Sequence, residues 1–239
     1  MRERVPLFFG LALLAIAVVV GSLFIAGGIR DRNRTDVITV TGSAKARIVS
    51  DYIVWDASLT GQGASPAAAS TQLSGWTSRV RGFFREQGVG AEELTVEPIS
   101  TESPGSVDQN GARVTGYRLT RSFEIRSSRV ALIAGVAERS SSLLAQGVPL
   151  AADAPQYVYT KLPGLRPRLL AAATKDAQSR ARVLVAASGA KLGKLRGVNV
   201  GVFQVSSPNS TDVSDYGVYD TTTLRKDVTA VVNVTFALS

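Results

Sequence analysis

The chain has 239 residues, 45% of them apolar and 19% charged, with a formal net charge of +8. That is a globular composition with enough length to bury a substantial core. It holds neither Cys nor His, which excludes disulfides, thiolate nucleophiles, the usual zinc and haem ligands and Ser-His-Asp triads. A metal would have to rest on oxygen ligands, which suits Ca²⁺ or Mg²⁺. No EF-hand, Walker A or Rossmann pattern occurs.

The first element in chain order is apolar. Leu7 to Ile29 is a run of 23 residues without a charge. As a helix it measures roughly 34 Å, enough to cross a hydrocarbon core of about 30 Å. Leu11 to Val20 is apolar on every face, whereas a helix packed in a soluble core normally keeps a polar stripe. The competing reading is a cleaved signal peptide, whose apolar region runs to about 15 residues before a small-x-small site. Here the run is longer and Phe24-Ile25-Ala26 is a poor cleavage site, so we read residues 7–29 as one transmembrane helix. Arg2 and Arg4 precede it, and Arg30, Arg32 and Arg34 follow it. Charge counting therefore leans slightly against an exported C-terminal part. Residues 30–36 form a polar tether.

Val37 to Thr41 alternates and is β-branched, the pattern of a strand. Tyr52 to Thr60 predicts a second strand, with Ile53, Trp55, Ala57 and Leu59 on one face. Ser65-Pro66 is a helix start, Ser capping and Pro in the first turn. The helix carries Ala69, Leu73, Trp76, Val80, Phe83 and Phe84 at core-facing spacing and stops near Gly88. Leu94–Thr101 and Val114–Ile125 read as strands around the turn-rich stretch Ser103–Gly111. Ser128–Glu138 reads as a short helix with Val130, Ile133 and Val136/Ala137 inward. Leu143–Leu150 and Gln156–Thr160 read as extended. Leu165–Ser188 predicts the longest soluble helix, with Leu170, Ala173, Ala177, Ala181, Leu184 and Ser188 on one face and Arg168, Lys175 and Arg182 on the opposite, solvated one. Gly189 ends it. Strands follow at Gly197–Val205 and Asp227–Leu238, around a loop from Ser206 to Thr223. Hairpins mixed with single helices imply an α+β fold, antiparallel-rich sheets with helices packed on one side, preceded by one transmembrane helix. Residues 37–239 lack an internal linker and read as one α+β domain of two packed lobes.

From Leu169 to Leu184 the helix leads through Ala187-Ser188-Gly189-Ala190-Lys191-Leu192-Gly193 into a strand. This resembles the SIMPL-domain family (domain of unknown function 541), in which an Ala-rich helix runs into a G-x-x-L-G turn. Ile38-Thr39-Val40-Thr41-Gly42, Gly116-Tyr117-Arg118-Leu119 and Val228–Leu238 resemble its opening, central and closing strands. The resemblance covers about residues 37–239 and rests on structural rather than catalytic motifs. It implies a bacterial envelope protein, in a family with links to oxidative-stress tolerance and to ring-shaped homo-oligomers. It also implies that residues 1–6 stay cytoplasmic while the folded part lies in the periplasm, on a single-pass anchor in the inner membrane. Many members look cleaved and soluble; this chain departs from them by keeping its N-terminal helix.

Eight basic residues and one acid, Asp176, fall between Arg166 and Arg196, a balance of +7 that is nearly the whole excess. Three readings fit this run. It is a solvated helix face, a contact for anionic lipid or a cell-wall polymer through Arg168, Lys175 and Arg182, or an interface with an acidic surface of a neighbouring subunit. Asp212, Asp215, Tyr216 and Tyr219 in the 206–223 loop supply the acid and aromatic side of such an interface. Nucleic acid is not expected as a partner of an envelope domain. The Asp212/Asp215 pair is the nearest thing to a glycosidase-type carboxylate pair, but it sits among turn residues where solvated Asp is ordinary, and no Ser has an evident base. The expectation is therefore a non-enzymatic, self-associating membrane protein without catalytic residues, cofactor or metal, with anionic-partner binding as the alternative role.

Overall fold

The computed structural model describes residues 36–107, 110–111, 115–210 and 216–239. The expected transmembrane helix at 7–29 lies outside the described residues, and among those described no helix is long and apolar enough to cross a membrane. The fold is α+β, with antiparallel-rich sheets and a few helices. The chain divides into two compact units, each assembled from separate stretches.

The larger unit comprises Ala44–Ala171 and Val202–Ala230. Its centre is the antiparallel pair β2 (Tyr52–Gly63) and β5 (Tyr117–Ser127), in register from Ile53↔Ser127 to Gly63↔Tyr117. Two short strands, β3 (Leu94–Val96) and β4 (Ser100–Glu102), pair with β5; two more, β6 (Ala151–Ala152) and β7 (Gln156–Val158), pair with β2. Alternation on β2 works as expected: Ile53, Trp55, Ala57 and Leu59 are all buried. They meet α1 (Pro66–Glu86), which buries Ala69, Leu73, Val80 and Phe84. Its start is the expected cap, the Ser65 hydroxyl accepting from the Ala68 N–H. Phe84 packs edge-on against both Trp55 and Phe123, at ring-centroid distances of 5.8 and 5.9 Å. Fully burying such a side chain is worth about 1.5–3 kcal/mol. Helix α2 (Val130–Arg139) adds Ile133 and Val136 to the same cluster.

Two expected strands in this unit turn out differently. The stretch 94–101 is not one strand but β3 and β4, because Pro98 falls between them and has no N–H for the ladder. Residues 143–150 are not extended throughout. Ser140 holds αR geometry, so the chain turns again into α3 (Ser141–Ala145), which buries Leu143 in the core.

The smaller unit comprises the described residues up to Ser43, Ala172–Gly201 and Val231–Ser239. It contains the first part of β1 (Val37–Val49), β8 (Leu192–Val200) and the last part of β10 (Arg225–Leu238), in the order β1-β10-β8. It also contains the second half of α4 (Leu162–Ser188). The remainder of β10 pairs with β9 (Gln204–Ser206) in the larger unit. Strand β8 thus begins earlier than Gly197, and the expected strand 197–205 breaks at residues 201–203. Helix α4 starts at Leu162 rather than Leu165 and accommodates Pro167; Leu162 is drawn into a cluster with Ile48, Leu169, Val205, Val228 and Ala230. Its buried ridge is Leu169, Ala173, Ala177, Ala181 and Val185 in steps of four, while the expected inward residues Leu184 and Ser188 are exposed. Gly42 explains the alanines: a Cβ there would stand 2.2 Å from the Ala173 carbonyl oxygen and 2.5 Å from the Ala177 nitrogen. Helix backbone and strand backbone touch, and only small residues permit it.

Candidate functional site

Arg168, Lys175 and Arg182 are exposed on α4. None of them has a hydrogen-bond or ion-pair partner among the described residues. Lys175 and Arg182 belong to the smaller unit and Arg168 to the larger. Other cations of the basic run do have partners. Arg180 pairs with Asp176 at 2.9 Å, and Arg166 lies 5.5 Å from the Phe203 ring centroid. Asp176 also accepts from the Ser43 N–H at 2.9 Å, and that bond, then Arg180, holds its carboxyl below the usual range. Its acid is therefore spent locally.

Asp212 and Asp215 lie outside the described residues. Tyr216 is 98% exposed. Tyr219 is tethered instead: its hydroxyl accepts from the Tyr159 N–H at 3.3 Å, and its backbone bridges to Val205. The next residue, Asp220, anchors the loop through Thr222, Thr223 and the fully buried Lys226. Burial works to raise the Asp220 pKa, but these donors outweigh it and hold it at about 2. Tyr216 thus remains a surface group, whereas Tyr219 serves the loop.

Two more carboxylates are saturated by donors, whereas Asp56 is pushed up by burial and by the neighbouring Glu124 and Asp153, with Arg126 opposing. Asp227, 1% exposed, takes Arg47 at 2.9 Å, Lys45 at 3.2 Å and the Asn209 N–H at 3.4 Å. Arg47 chiefly, against the opposing effect of burial, keeps it far below the carboxylate range. Glu93 accepts from Arg129, Ser127 and the Gly90 N–H; Arg129 contributes most, and the pKa falls to about 2. Carboxylates this strongly solvated by donors do not move protons near neutral pH. Among the described residues no group of three or more acidic side chains is arranged for a metal ion.

What the sequence pattern did not disclose is an uncovered apolar surface in the smaller unit. Val232, Val234 and Phe236 on β10 are buried, and their antiparallel partners on β8 are Val200, Val198 and Leu195. Directly opposed residues share a face, yet these three are 49%, 45% and 54% exposed. A separate cleft of about 490 Å³ is lined by Val40, Thr41, Ser179, Arg180, Val183 and Leu184. The signal for β8 was present in Leu195-Arg196-Gly197-Val198-Asn199-Val200, but its charges and glycine disguised a strand whose apolar side has no cover among the described residues.

No curated protein matches the chain significantly. The family model SIMPL, described as a protein of unknown function (DUF541), matches residues 38–236. That span runs from the second residue of β1 into β10 and covers most of the chain, and the chain belongs to the SIMPL family.

Proposed function

We propose that this is a membrane-anchored, non-enzymatic envelope protein that self-assembles into a homo-oligomer, with a role in envelope integrity or stress tolerance. The observation that carries assembly is the uncovered apolar surface of Leu195, Val198 and Val200 on a strand at the end of a sheet. Such an edge joins other strands unless it is shielded. The anchor reading rests on the uncharged run Leu7–Ile29. Confinement to a membrane raises effective concentration, so modest contacts suffice for assembly. Absence of enzymatic activity is the reading that the donor-saturated Asp220, Asp227 and Glu93 support. Location is tested by adding protease to intact spheroplasts of cells expressing the full chain. The folded part is expected to be degraded, leaving a fragment of the N-terminal segment that resists carbonate extraction; protection of residues 37–239 would contradict the placement.

The alternative role is binding of anionic lipid or a cell-wall polymer. The unpartnered Lys175 and Arg182 on α4, together with Arg168, favour it. Vesicle flotation with and without anionic lipid tests it: K175E/R182E is expected to abolish salt-sensitive binding, and unchanged binding removes this role.

A further inference from the structure

The sheet of the smaller unit has two ends, and they differ. At one end, β8 exposes seven consecutive residues, Lys194 to Val200. Among the described residues its outer backbone N–H and C=O groups have no neighbouring strand. Leu195, Val198 and Val200 project on the face that carries the buried Val232, Val234 and Phe236. At the other end stands β1, whose Val37–Ser43 portion bears no charge. Thr39 and Thr41 bond to Thr235 and Asn233 on the far face. Val40 and Gly42 therefore point to the helix side, where Val40 meets the cleft that Val183 and Leu184 of α4 line. Val183 and Leu184 are 71% and 53% exposed.

We propose that β8 of one copy adds to the β1 edge of a second copy, seating its Leu195, Val198 and Val200 stripe in the Val40/Val183/Leu184 cleft. Three observations select this occupant. An edge strand is completed by another edge strand, and among the described residues β1 is a second edge without a partner, at the opposite end of the same sheet. The stripe and the cleft are both apolar and both lie on the helix side of their strands, so a sheet continued across the contact brings them together. Coverage decides against the symmetric choice: a two-fold β8–β8 pair would complete one edge and cover one stripe, but it would leave the β1 edge and the Val40/Val183/Leu184 cleft open. The contact is therefore head-to-tail, so each copy keeps one free end and addition continues until a ring closes or a filament grows.

This inference rests on the self-assembly reading but can fail separately. The test uses full-length protein in detergent, with far-UV circular dichroism and thermal melting confirming that each variant is folded. Val198→Lys damages the β8 side and Val183→Lys the cleft side, both at exposed positions. Each variant alone is expected to fall to the mass of one chain by light scattering. Mixed one to one, they still hold one intact β8 and one intact cleft, so the mixture is expected to give particles of two chains. Variants that keep the wild-type mass, or a mixture that stays at one chain, overturn the head-to-tail pairing while leaving self-assembly in place. A wild-type protein of one chain's mass overturns both.

Discussion

Asp227 is the residue on which the polar structure most depends. It is buried in a sheet yet ionised, because Arg47, Lys45 and the Asn209 N–H replace the water it lost. Asp227→Asn keeps the shape and removes the charge that those donors answer. We expect a loss of about 1–3 kcal/mol, read as a lower urea midpoint at unchanged m. Glu93 and Asp220 give the pH dependence its sign. Their folded pKa values, each about 2, lie below the unfolded ones. The unfolded chain therefore binds protons first on acidification, and the stability these groups contribute is full above about pH 5 and lost as the pH falls towards 2. With no His or Cys in the chain, no side chain with an ordinary pKa titrates between about 5 and 8. Urea midpoints should accordingly be nearly constant from pH 6 to 8 and fall steeply below 5. A marked change between 6 and 8 would show that a displaced group, such as Lys226, whose buried ammonium is pushed down, titrates in that range.

At the scale of elements, close backbone approach is the recurring device. Gly42 meets Ala173 and Ala177 of α4, and Gly61 of β2 meets Ala69 of α1, where a Cβ would come within 2.8 Å of its carbonyl oxygen. Gly42→Ala forces backbone apart rather than moving a flexible side chain, and should cost about 1–3 kcal/mol or more. Ser65→Ala removes only the cap of α1 and should cost about 1 kcal/mol. Thermal melting of the two variants orders the effects. These elements also mark how far the sequence could be read. α1, β2 and the end of α4 at Gly189 were legible because each follows from local chemistry: a Ser-Pro start, period-two alternation, a glycine at φ +75°. The inward face of α4 was misjudged at Leu184 and Ser188, since the true ridge advances in steps of four. Strand β8 was placed late because its cover, or lack of it, depends on long-range pairing with β10. The candidate site was legible only in part: the exposure of the basic residues on α4 follows from the sequence, the exposed apolar stripe of β8 does not.

In the molecule as a whole, the apolar run Leu7–Ile29 precedes a folded part whose smaller unit, among the described residues, presents an unpaired strand edge and an open apolar cleft. Residues 38–236 belong to the SIMPL family, and the anchor and assembly are what we propose beyond that membership. Assembly and anionic binding make opposite demands on salt. An apolar strand contact is weakened little by ionic strength, whereas attraction through Arg168, Lys175 and Arg182 is screened. The particle mass should therefore persist in 0.5 M salt even where vesicle binding does not. The most direct measurement is the mass of the detergent-extracted full-length protein by light scattering, corrected for bound detergent, at micromolar concentration and low salt. The account predicts a particle of several chains; a single 25.2 kDa chain contradicts it.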